Sequence, residues 1–332
     1  MQYYCTYFDG NYLLRGLALY ESLRAHAQPF TLYALCLDNE TFEFLNGKRL
    51  PRVVPISMST LENKDPQLLD AKTNRSALEY YFTLTPCLVQ YVFNTWPELE
   101  LLTYLDSDLF FLHSPNPLLA ELGDASIGII EHRYGHEPQY WTDALGRFNV
   151  GWISFRNDQN TKACLAWWRE RCLEGTPAQP ENGRYGDQKY LDRWPELFQG
   201  VKILKHPGAN LAYWNILSHT FSSKNRKLMV DEQPLIFYHC TGLASVGMSV
   251  YSNRADPRSP KDGELLARFI YRPYINRLFE IKERYQVTGD LSLSGLREER
   301  NTLQHLRTCW LFLRSGHYIL RQLRNGSMFR LR

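Results

Sequence analysis

Short apolar segments alternate with amphipathic ones through the first half of the chain, and this alternation restricts the fold more than any other feature. Gln2–Phe8 and residues 30–37 have the length and apolar content of buried strands, and residues 12–26 have the spacing of an amphipathic helix. Further strands are predicted at Val53–Ser57, Leu101–Leu105, 126–131 and 148–155. Strands that alternate with helices predict an α/β fold, with a mostly parallel sheet covered by helices on both faces.

The remaining elements follow from the same periodicities. A helix is predicted over residues 76–93, and Pro86 is expected to kink it or divide it in two. The later part of the chain predicts helices at 161–174 and 187–197, strands at Val201–Leu204 and 235–238, and helical structure from residue 263 with a break near 287–294. We therefore expect one large domain over residues 1–260 and a helical C-terminal region over 261–332.

Cysteine usage and the N-terminus indicate the compartment. The seven cysteines are scattered without a Cys-x-x-Cys pair, and the chain starts directly with a strand-like segment. A basic, apolar signal peptide is not evident, and no apolar run approaches the roughly 18 residues that span a bilayer. Reduced thiols in the cytoplasm are the expectation.

Charge is distributed unevenly along the chain. Residues 297–332 carry eight arginines and two glutamates, which is a net +6, so the remainder carries −3 of the total +3. A weakly acidic body with a basic tail argues against a general nucleic-acid-binding protein and for one localised anionic contact.

A pair of aspartates follows the predicted strand Leu101–Leu105. Asp106-Ser107-Asp108 is the one Asp-x-Asp sequence in the chain. Two carboxylates at this spacing can reach one hard cation, and oxygen ligands suit Mg²⁺ or Mn²⁺, which in turn binds phosphates. The alternative is a turn or a helix cap, where aspartate is also common. Ligands of open α/β sheets bind beyond the carboxyl ends of the strands, which is where these aspartates are predicted to lie.

Four segments together resemble a known family. Tyr104-Leu105-Asp106-Ser107-Asp108 resembles the strand and Asp-x-Asp signature of GT-A glycosyltransferases. Three more resemble glycosyltransferase family 8 and follow in its order: 148–152 (Phe-Asn-Val-Gly-Trp), 186–191 (Gly-Asp-Gln-Lys-Tyr-Leu) and 239–242 (His-Cys-Thr-Gly). Residues 1–245, with the segment 206–215, are also similar to a set of bacterial nucleotide-sugar transferases. The resemblance implies a GT-A fold, a single Rossmann-like unit.

The resemblance also implies roles for particular residues. Asp106, Asp108 and His239 would be the metal ligands, with Mn²⁺ or Mg²⁺ as the cofactor, and Asp187 and Gln188 would lie beside the anomeric carbon as catalytic residues. The implied donor-binding residues are Thr6, Tyr7, Asp9, Arg75, Asp106, Ser107, Asn149, Gly151, Asn210, Trp214 and Gly242.

Simpler explanations exist for several of these residues. His239 can be a hydrogen-bonded core histidine, and Asp187 with Gln188 can merely cap a helix. Asn210, Trp214 and Asn215 combine amides with an aromatic ring, which suits a sugar pocket or a loop that satisfies its own hydrogen bonds.

One departure from family 8 is visible after Gly242. Family members continue with a lysine that contacts the diphosphate, whereas this chain reads Leu243-Ala244-Ser245-Val246. Lys224, Arg226 and Lys227 are candidates for the replacement.

These observations predict a metal-dependent glycosyltransferase. It would move a sugar from a nucleotide diphosphate sugar, with a UDP-sugar favoured, to a glycan or lipid-linked acceptor of a bacterial surface polysaccharide. Family 8 implies retention of configuration; an inverting enzyme would need a base such as Asp187 or Asp143. The alternatives are a nucleotidyltransferase, whose Gly-rich phosphate loop is not evident in residues 9–15, and a non-catalytic nucleotide-sugar-binding protein.

The C-terminal tail has its own pattern. Arg300, Arg307, Arg314 and Arg321 recur every seven residues beside a mostly apolar face. A basic amphipathic helix of this kind can bind an anionic membrane surface, which would make the protein peripheral on the inner face of the cell membrane. The alternatives are a helix docked on the body of the protein or an oligomer contact.

Overall fold

The computed structural model describes residues 1–27, 29–135, 139–247, 250–252, 259–287 and 328–330. Its strands are, in chain order, β1 (Gln2–Phe8), β2 (Phe30–Cys36), β3 (Val53–Ser57), β4 (Leu101–Leu105), β5 (Leu109–Phe111), β6 (Ile127–Glu131), β7 (Phe148–Arg156), β8 (Val201–Leu204), β9 (Phe221–Lys224), β10 (Lys227–Val230), β11 (Gln233–Pro234), β12 (Phe237–His239), β13 (Ala244–Gly247), β14 (Val250–Ser252) and β15 (Met328–Arg330).

The α-helices lie between these strands and after them. They are α1 (Leu13–His26), α2 (Asn39–Lys48), α3 (Met58–Glu62), α4 (Pro66–Thr73), α5 (Ala77–Thr95), α6 (Asn116–Leu122), α7 (Gln139–Leu145), α8 (Gln159–Glu174), α9 (Trp194–Leu197), α10 (Pro260–Leu266) and α11 (Arg272–Tyr285). None of the helices in the described part of the chain has the length and apolar character needed to cross a membrane.

Seven strands form the central sheet in the order β3-β2-β1-β4-β7-β6-β8. All adjacent pairs are parallel except the two that β7 makes with β4 and β6. Consecutive side chains of a strand point to opposite faces, so Tyr4 belongs to a core shared with α1 and α11, and Cys5 to a core shared with α5 and α8. The predicted α/β fold, mostly parallel with helices on both faces, is confirmed.

Two predicted helices differ from the structure. Pro86 does not divide the helix predicted at 76–93, because α5 runs unbroken from Ala77 to Thr95 after a capping box formed by Ser76 and Glu79. The packing of its apolar face against α8 and the sheet holds the helix together across the missing N–H of the proline. The helix predicted at 187–197 is a 3₁₀ turn, Gln188–Arg193, followed by α9.

The C-terminal helices pack against the first domain. α10 and α11 are joined by a π-helical turn at Ala267–Tyr271, where Tyr271 shares a 2.8 Å hydroxyl–hydroxyl hydrogen bond with Tyr238. The Phe110 and Tyr274 rings are 5.1 Å apart, so buried contacts cross the expected boundary at residue 260. That boundary stays a prediction. Apart from β15, which pairs with β14, the basic tail at 297–332 lies outside the described residues.

Gly208 brings its own backbone into close contact with the segment before β12. Its carbonyl accepts hydrogen bonds from the N–H groups of Ile236 (2.7 Å) and Phe237 (3.2 Å), and a Cβ on Gly208 would lie 2.1 Å from the Pro234 carbonyl oxygen. An alanine at position 208 therefore requires the backbone to move.

We expect Gly208→Ala to lower the free energy of unfolding by about 1–3 kcal/mol, because overpacking against backbone cannot be relieved by a side-chain rotation. Gly47→Ala in α2 is the matched control: a Cβ there meets nothing within 4 Å, and alanine favours a helix over glycine by up to about 1 kcal/mol. Thermal unfolding of both variants gives the comparison. Equal stability of Gly208→Ala and the wild type would contradict the close contact.

Candidate active site

Two aspartates lie at the carboxyl end of β4, in the middle of the central sheet. The Asp106 N–H donates to the Gly151 carbonyl (3.0 Å) and the Asp106 carbonyl accepts from the Leu109 N–H (3.2 Å), so the chain turns directly from β4 into β5. Asp108 is buried, whereas the Asp106 side chain keeps 29% of its accessibility. The turn therefore presents one enclosed carboxylate and one that solvent reaches.

His239 joins the aspartates because β12 pairs with β5. In this antiparallel pair His239 is opposite Leu109, and the Cys240 N–H donates to the Asp108 carbonyl (2.9 Å). Its Nε2 lies 3.0 Å from Asp108 Oδ1 and 3.5 Å from Asp106 Oδ2. The three ligand atoms lie within 4.8 Å of one another, the kind of grouping that can hold a metal ion.

The three groups shift one another's protonation. Burial, reinforced by the charge of Asp108, raises the pKa of Asp106 to about 6 against the opposing pull of His239. Burial also acts on Asp108, but the His239 imidazole that donates to it lowers the pKa of this carboxyl overall. The two carboxylates in turn raise the pKa of His239 in spite of its burial. Both carboxylates are therefore ionised together only above about pH 6, and a bound cation would extend that range to lower pH.

Asp106, Asp108 and His239 fit a divalent cation on this chemistry. Two carboxylate oxygens and an imidazole nitrogen converge, and the raised pKa of Asp106 reflects a carboxylate with too little positive charge around it. Carboxylates bind Mg²⁺ and Mn²⁺, and an imidazole nitrogen suits a transition metal better than Mg²⁺.

The motifs do not predict Arg15, which lies behind the aspartates. This buried residue of α1 places Nη1 3.5 Å from Asp108 Oδ2, and its Nη2 donates to the Leu243 carbonyl (3.4 Å). It thereby connects the Asp-x-Asp turn to the segment after His239. A signal was present: Arg15 is the one charged residue in the apolar run 13–19 of α1.

Gly151 and Asn149 lie against the other side of His239. A Cβ on Gly151 would be 3.0 Å from His239 Cε1 and 2.6 Å from Asn149 Oδ1, so only a glycine fits there. Asn149 Oδ1 accepts from the Gly151 N–H (3.1 Å), which turns its amide nitrogen towards His132 Nε2 (3.2 Å). Burial lowers the pKa of His132 to about 3, so this ring is neutral.

Asp187 is buried next to the site and does not cap the helix that follows it. Its Oδ2 accepts from Thr85 Oγ1 (2.6 Å), and its side chain makes no capping hydrogen bond to the 3₁₀ turn. Thr85 Oγ1 is also 3.3 Å from the Tyr7 hydroxyl oxygen, which connects Asp187 to the cavity. Burial, with the nearby charge of Asp106, raises the pKa of Asp187 to about 7. Gln188 donates its amide to the Leu145 carbonyl (2.8 Å).

A cavity of about 520 Å³ opens beside the carboxylates. One end is formed by the start of α1 and by α5, with Tyr7, Asp9, Tyr12, Leu37, Leu78, Tyr81 and Phe82. The other end is rich in aromatic side chains and contains His132, Tyr134, Trp141, Asn149, Tyr185, Gln188, Tyr213 and Trp214. Asp106, Ser107, Asp108, His239 and Thr241 complete the lining. The cavity therefore adjoins the carboxylates and offers two groups of side chains of different character.

Several candidates from the sequence lie outside the cavity lining. The Arg75 guanidinium donates to the carbonyls of Cys172 (2.8 Å) and Leu173 (2.6 Å) and fastens the end of α8, so it is not placed to contact a diphosphate in the cavity. Thr6 is fully buried on the face of β1 opposite Tyr7. Asp143 is exposed on α7.

The loop residues among the candidates are mostly engaged in local structure. Asn210 is buried at φ 57° and donates to the Glu131 carbonyl (3.3 Å), while Gly242, at φ 74°, forms the turn after His239. Asn215 Oδ1 accepts from the Ala212 N–H, and its amide nitrogen donates to the carbonyls of Asn210 and His132. These bonds hold the loop together and fasten it to the end of β6. Trp214 lines the cavity, with its ring centroid 5.3 Å from that of His239.

Comparison with known proteins identifies relatives and the fold. No sequence-family profile matches the chain. It is 33% identical to YfnD of Bacillus subtilis (strain 168) over 278 residues, which cover 83% of this chain and 88% of YfnD. It is 37% identical to YfnF of the same organism over 253 residues, 74% of this chain and 83% of YfnF. Both relatives are uncharacterized proteins.

Among solved structures, an active-site mutant of LgtC superposes with a TM-score of 0.51 and 14% identity. The match covers 81% of this chain and 96% of that one. LgtC is a galactosyltransferase. At this identity the likeness establishes the fold, which is GT-A.

We expect Mn²⁺ to stabilise the wild type, by about 2.7 kcal/mol at a concentration of 100 times its Kd, because the ion binds only the folded site. Thermal unfolding with and without Mn²⁺ measures the stabilisation.

Asp108→Asn and His239→Gln should weaken Mn²⁺ binding by about a hundredfold or more, while Asp70→Asn, an exposed aspartate of α4, should leave it unchanged. Binding should also weaken as the pH falls, because His239 and Asp106 both have raised pKa values and each must lose its proton to bind the ion. Isothermal titration calorimetry measures the affinities. Equal affinity in Asp108→Asn would contradict the assignment.

Proposed function

This chain belongs to the same family as YfnD and YfnF, and we propose that it is a metal-dependent glycosyltransferase that takes a sugar from a nucleotide diphosphate sugar. The observation that carries the proposal is the convergence of Asp106, Asp108 and His239 at the carboxyl end of β4, within a GT-A fold and facing a cavity with two unlike ends. Carboxyl ends of strands are where ligands of such sheets bind.

The proposed chemistry is departure of the diphosphate from the sugar. A divalent ion held by Asp106, Asp108 and His239 would supply Lewis-acid stabilisation of that leaving group. Arg15 makes no contact with the leaving group itself, because it lies behind Asp108; it holds that carboxylate in position and balances part of its charge. Arg226 and Lys227 line a different cavity, so neither supplies the diphosphate contact that the missing lysine would make.

The end of the cavity near α1 and α5 suits the nucleotide of the donor. Tyr12, Tyr81 and Phe82 offer rings on which a base can stack, and Asp9 lies at the entrance to α1. The Asp9 carboxylate accepts from the Tyr12 N–H (3.1 Å) and from the Asn11 amide (3.2 Å), so its orientation is fixed. The proposed donor is a UDP-sugar, on the family-8 resemblance of the metal-site motifs.

The aromatic end of the cavity suits an acceptor sugar. Tyr134, Trp141, Tyr185, Tyr213 and Trp214 can face the C–H surfaces of a pyranose, and the Asn149 amide can meet its hydroxyls. We propose a glycan or a lipid-linked precursor of a bacterial surface polysaccharide as the acceptor. A cytoplasmic protein held at the inner face of the membrane by residues 297–332 would meet such a precursor.

Retention of configuration is the proposed outcome, with Asp187 near the reacting carbon. Its carboxylate does not line the cavity but is buried behind it, bonded to Thr85 and through Thr85 to Tyr7, and from there its negative charge would stabilise a cation-like sugar across a region of low dielectric. Gln188 follows it in the chain and lines the cavity.

The defining experiment is a panel of UDP-, GDP- and dTDP-sugars incubated with Mn²⁺ or with EDTA, with release of the nucleoside diphosphate as the readout. We expect one donor class to be consumed in Mn²⁺ only, and the Asp106→Asn/Asp108→Asn double variant to lose at least about a thousandfold in rate, because leaving-group stabilisation is lost. Asp70→Asn is the matched control.

Binding and product analysis separate the remaining alternatives. A nucleotidyltransferase would instead form a nucleotide sugar and pyrophosphate from a nucleoside triphosphate and a sugar phosphate. A non-catalytic protein would bind a donor calorimetrically without turnover. If no donor is consumed in a metal-dependent manner with acceptor glycans present, the glycosyltransferase proposal is wrong. The anomeric coupling constant of the product, measured by NMR, decides between retention and inversion.

Asp187→Asn tests the catalytic assignment. We expect kcat to fall by about a hundredfold or more with a smaller change in KM, because an amide cannot stabilise developing positive charge. In the wild type kcat should rise with pH through an ionisation at or below about 7, since a bound cation can only lower the raised pKa of Asp187, and this limb should vanish in the variant. Glu196→Gln, an exposed glutamate of α9, is the control. An unchanged kcat would exclude Asp187 from the chemistry.

A further inference from the structure

A second cavity, of about 1070 Å³, lies away from the carboxylates and is lined by basic side chains. His26, His113, His206, Arg226 and Lys227 contribute to its wall, and the described residues that line it include no aspartate or glutamate. We call it the histidine cavity. It lies at the last turn of α1, whereas Arg15 is in the first turn, so about 16 Å of helix separates it from the metal site.

Backbone conformation at the β9–β10 hairpin places Arg226 in a left-handed turn, as the β10–β11 hairpin does with Glu232 (φ 66°). The β9–β10 hairpin pairs Lys224 with Lys227, so its loop has two residues, and both of them, Asn225 (φ 51°) and Arg226 (φ 60°), are left-handed. The second position of such a turn strongly favours glycine. An arginine in this position costs local stability relative to glycine.

Two of the histidines have one ring nitrogen already engaged. His113 Nδ1 is 2.6 Å from the Leu235 carbonyl oxygen, so it carries the proton of that hydrogen bond. His206 Nδ1 accepts from the Gly208 N–H (3.1 Å), which leaves the ring proton on Nε2 as a donor. The tautomer of each ring is therefore set by the backbone, and Nε2 is the atom with which each can meet a ligand.

Positive charge is disfavoured on the rings of His26 and His206, because burial lowers the pKa of both, and Lys227 adds repulsion at His26. His113 also adds to the effect of burial in lowering the pKa of His26. Glu121 lies near His206, but it receives the backbone N–H groups of Lys205 and His206 and does not line the cavity. A negative ligand would relieve this repulsion and accept hydrogen bonds from several donors at once.

We propose that the histidine cavity is a binding site for a phosphate-bearing anion, separate from the metal site. Arg226, Lys227 and His206 Nε2 supply donors to the same cavity, and the two-residue turn fixes the backbone of Arg226. His113 keeps its ring proton on Nδ1, so its Nε2 accepts and can meet a protonated phosphate oxygen. The phosphate can belong to a soluble molecule or to a lipid headgroup. Because the site shares no lining residue with the metal cavity, the proposal does not depend on the glycosyltransferase activity.

The test compares wild type with Arg226→Gly, titrated with inorganic pyrophosphate in metal-free buffer by calorimetry. Glycine suits the left-handed turn, so the variant should fold and its Tm should rise by about 1–3 °C, while pyrophosphate affinity should fall by about tenfold or more. His113→Gln is the second variant and should also weaken binding. Lys224→Gln, on the same hairpin but outside the cavity lining, should bind as the wild type does.

Two further arms locate the ligand. The Asp106→Asn/Asp108→Asn double variant should keep pyrophosphate binding. In a second arm, sedimentation with vesicles of phosphatidylglycerol and phosphatidylcholine, against vesicles of phosphatidylcholine alone, shows whether Arg226→Gly weakens headgroup binding; the basic tail is present in both proteins. Arg226-dependent binding of pyrophosphate supports the site with a soluble phosphate as its ligand. Arg226-dependent binding of the phosphatidylglycerol vesicles supports it with a lipid headgroup as its ligand. Binding in neither arm, binding indifferent to Arg226→Gly, or loss of binding in the double variant would overturn it.

Discussion

Two carboxylates held close together in a largely enclosed place repel each other unless positive charge is near, and the centre of this molecule is arranged around that constraint. Asp106 and Asp108 end β4, Arg15 approaches Asp108 from α1, and His239 arrives from β12. These positive groups lower the pKa of Asp108, but the pKa of Asp106 stays raised, at about 6. The strand order, the first helix α1 and the β5–β12 pair bring these groups together, and a divalent cation would balance the remaining negative charge.

The central sheet could be predicted closely because its strands are short apolar runs between polar residues. Val53–Ser57 and Leu101–Leu105 have the predicted bounds. Leu101–Leu105 is buried in the middle of the sheet, which leaves a continuous apolar signal, whereas Val53–Ser57 is a partly buried edge strand marked by its β-branched residues. The errors arose where tertiary packing overrides a local rule. Pro86 is a helix breaker by itself, yet α5 continues through it because its neighbours bury its apolar face. After Asp187 the chain forms a 3₁₀ turn instead of a regular helix. The Asp187 and Gln188 side chains there bond to Thr85 and Leu145, which are distant in the sequence, so no local pattern predicts the turn.

The site was predictable where it rests on contiguous motifs and not where it rests on pairing between distant elements. Asp106, Asp108 and His239 stand in short recognisable segments and are brought together as expected. Arg15, Thr85 and His132 become part of the site only through α1, α5 and the end of β6 meeting the same strands. Arg75 shows the converse: a basic residue in a suggestive sequence position is used to hold two carbonyls at the end of α8.

The origin of His239 has a consequence for how the protein is made. It follows the Asp-x-Asp turn by about 130 residues, and its strand is anchored by Leu211 and Gly208, which also come late in the chain. At roughly 5–20 residues per second, a ribosome needs about 7–26 s to pass from one to the other. During that time the acidic turn exists without its imidazole. A metal ion that needs all three ligands would therefore be bound only after His239 has been made, and its binding would report that both parts of the site have come together.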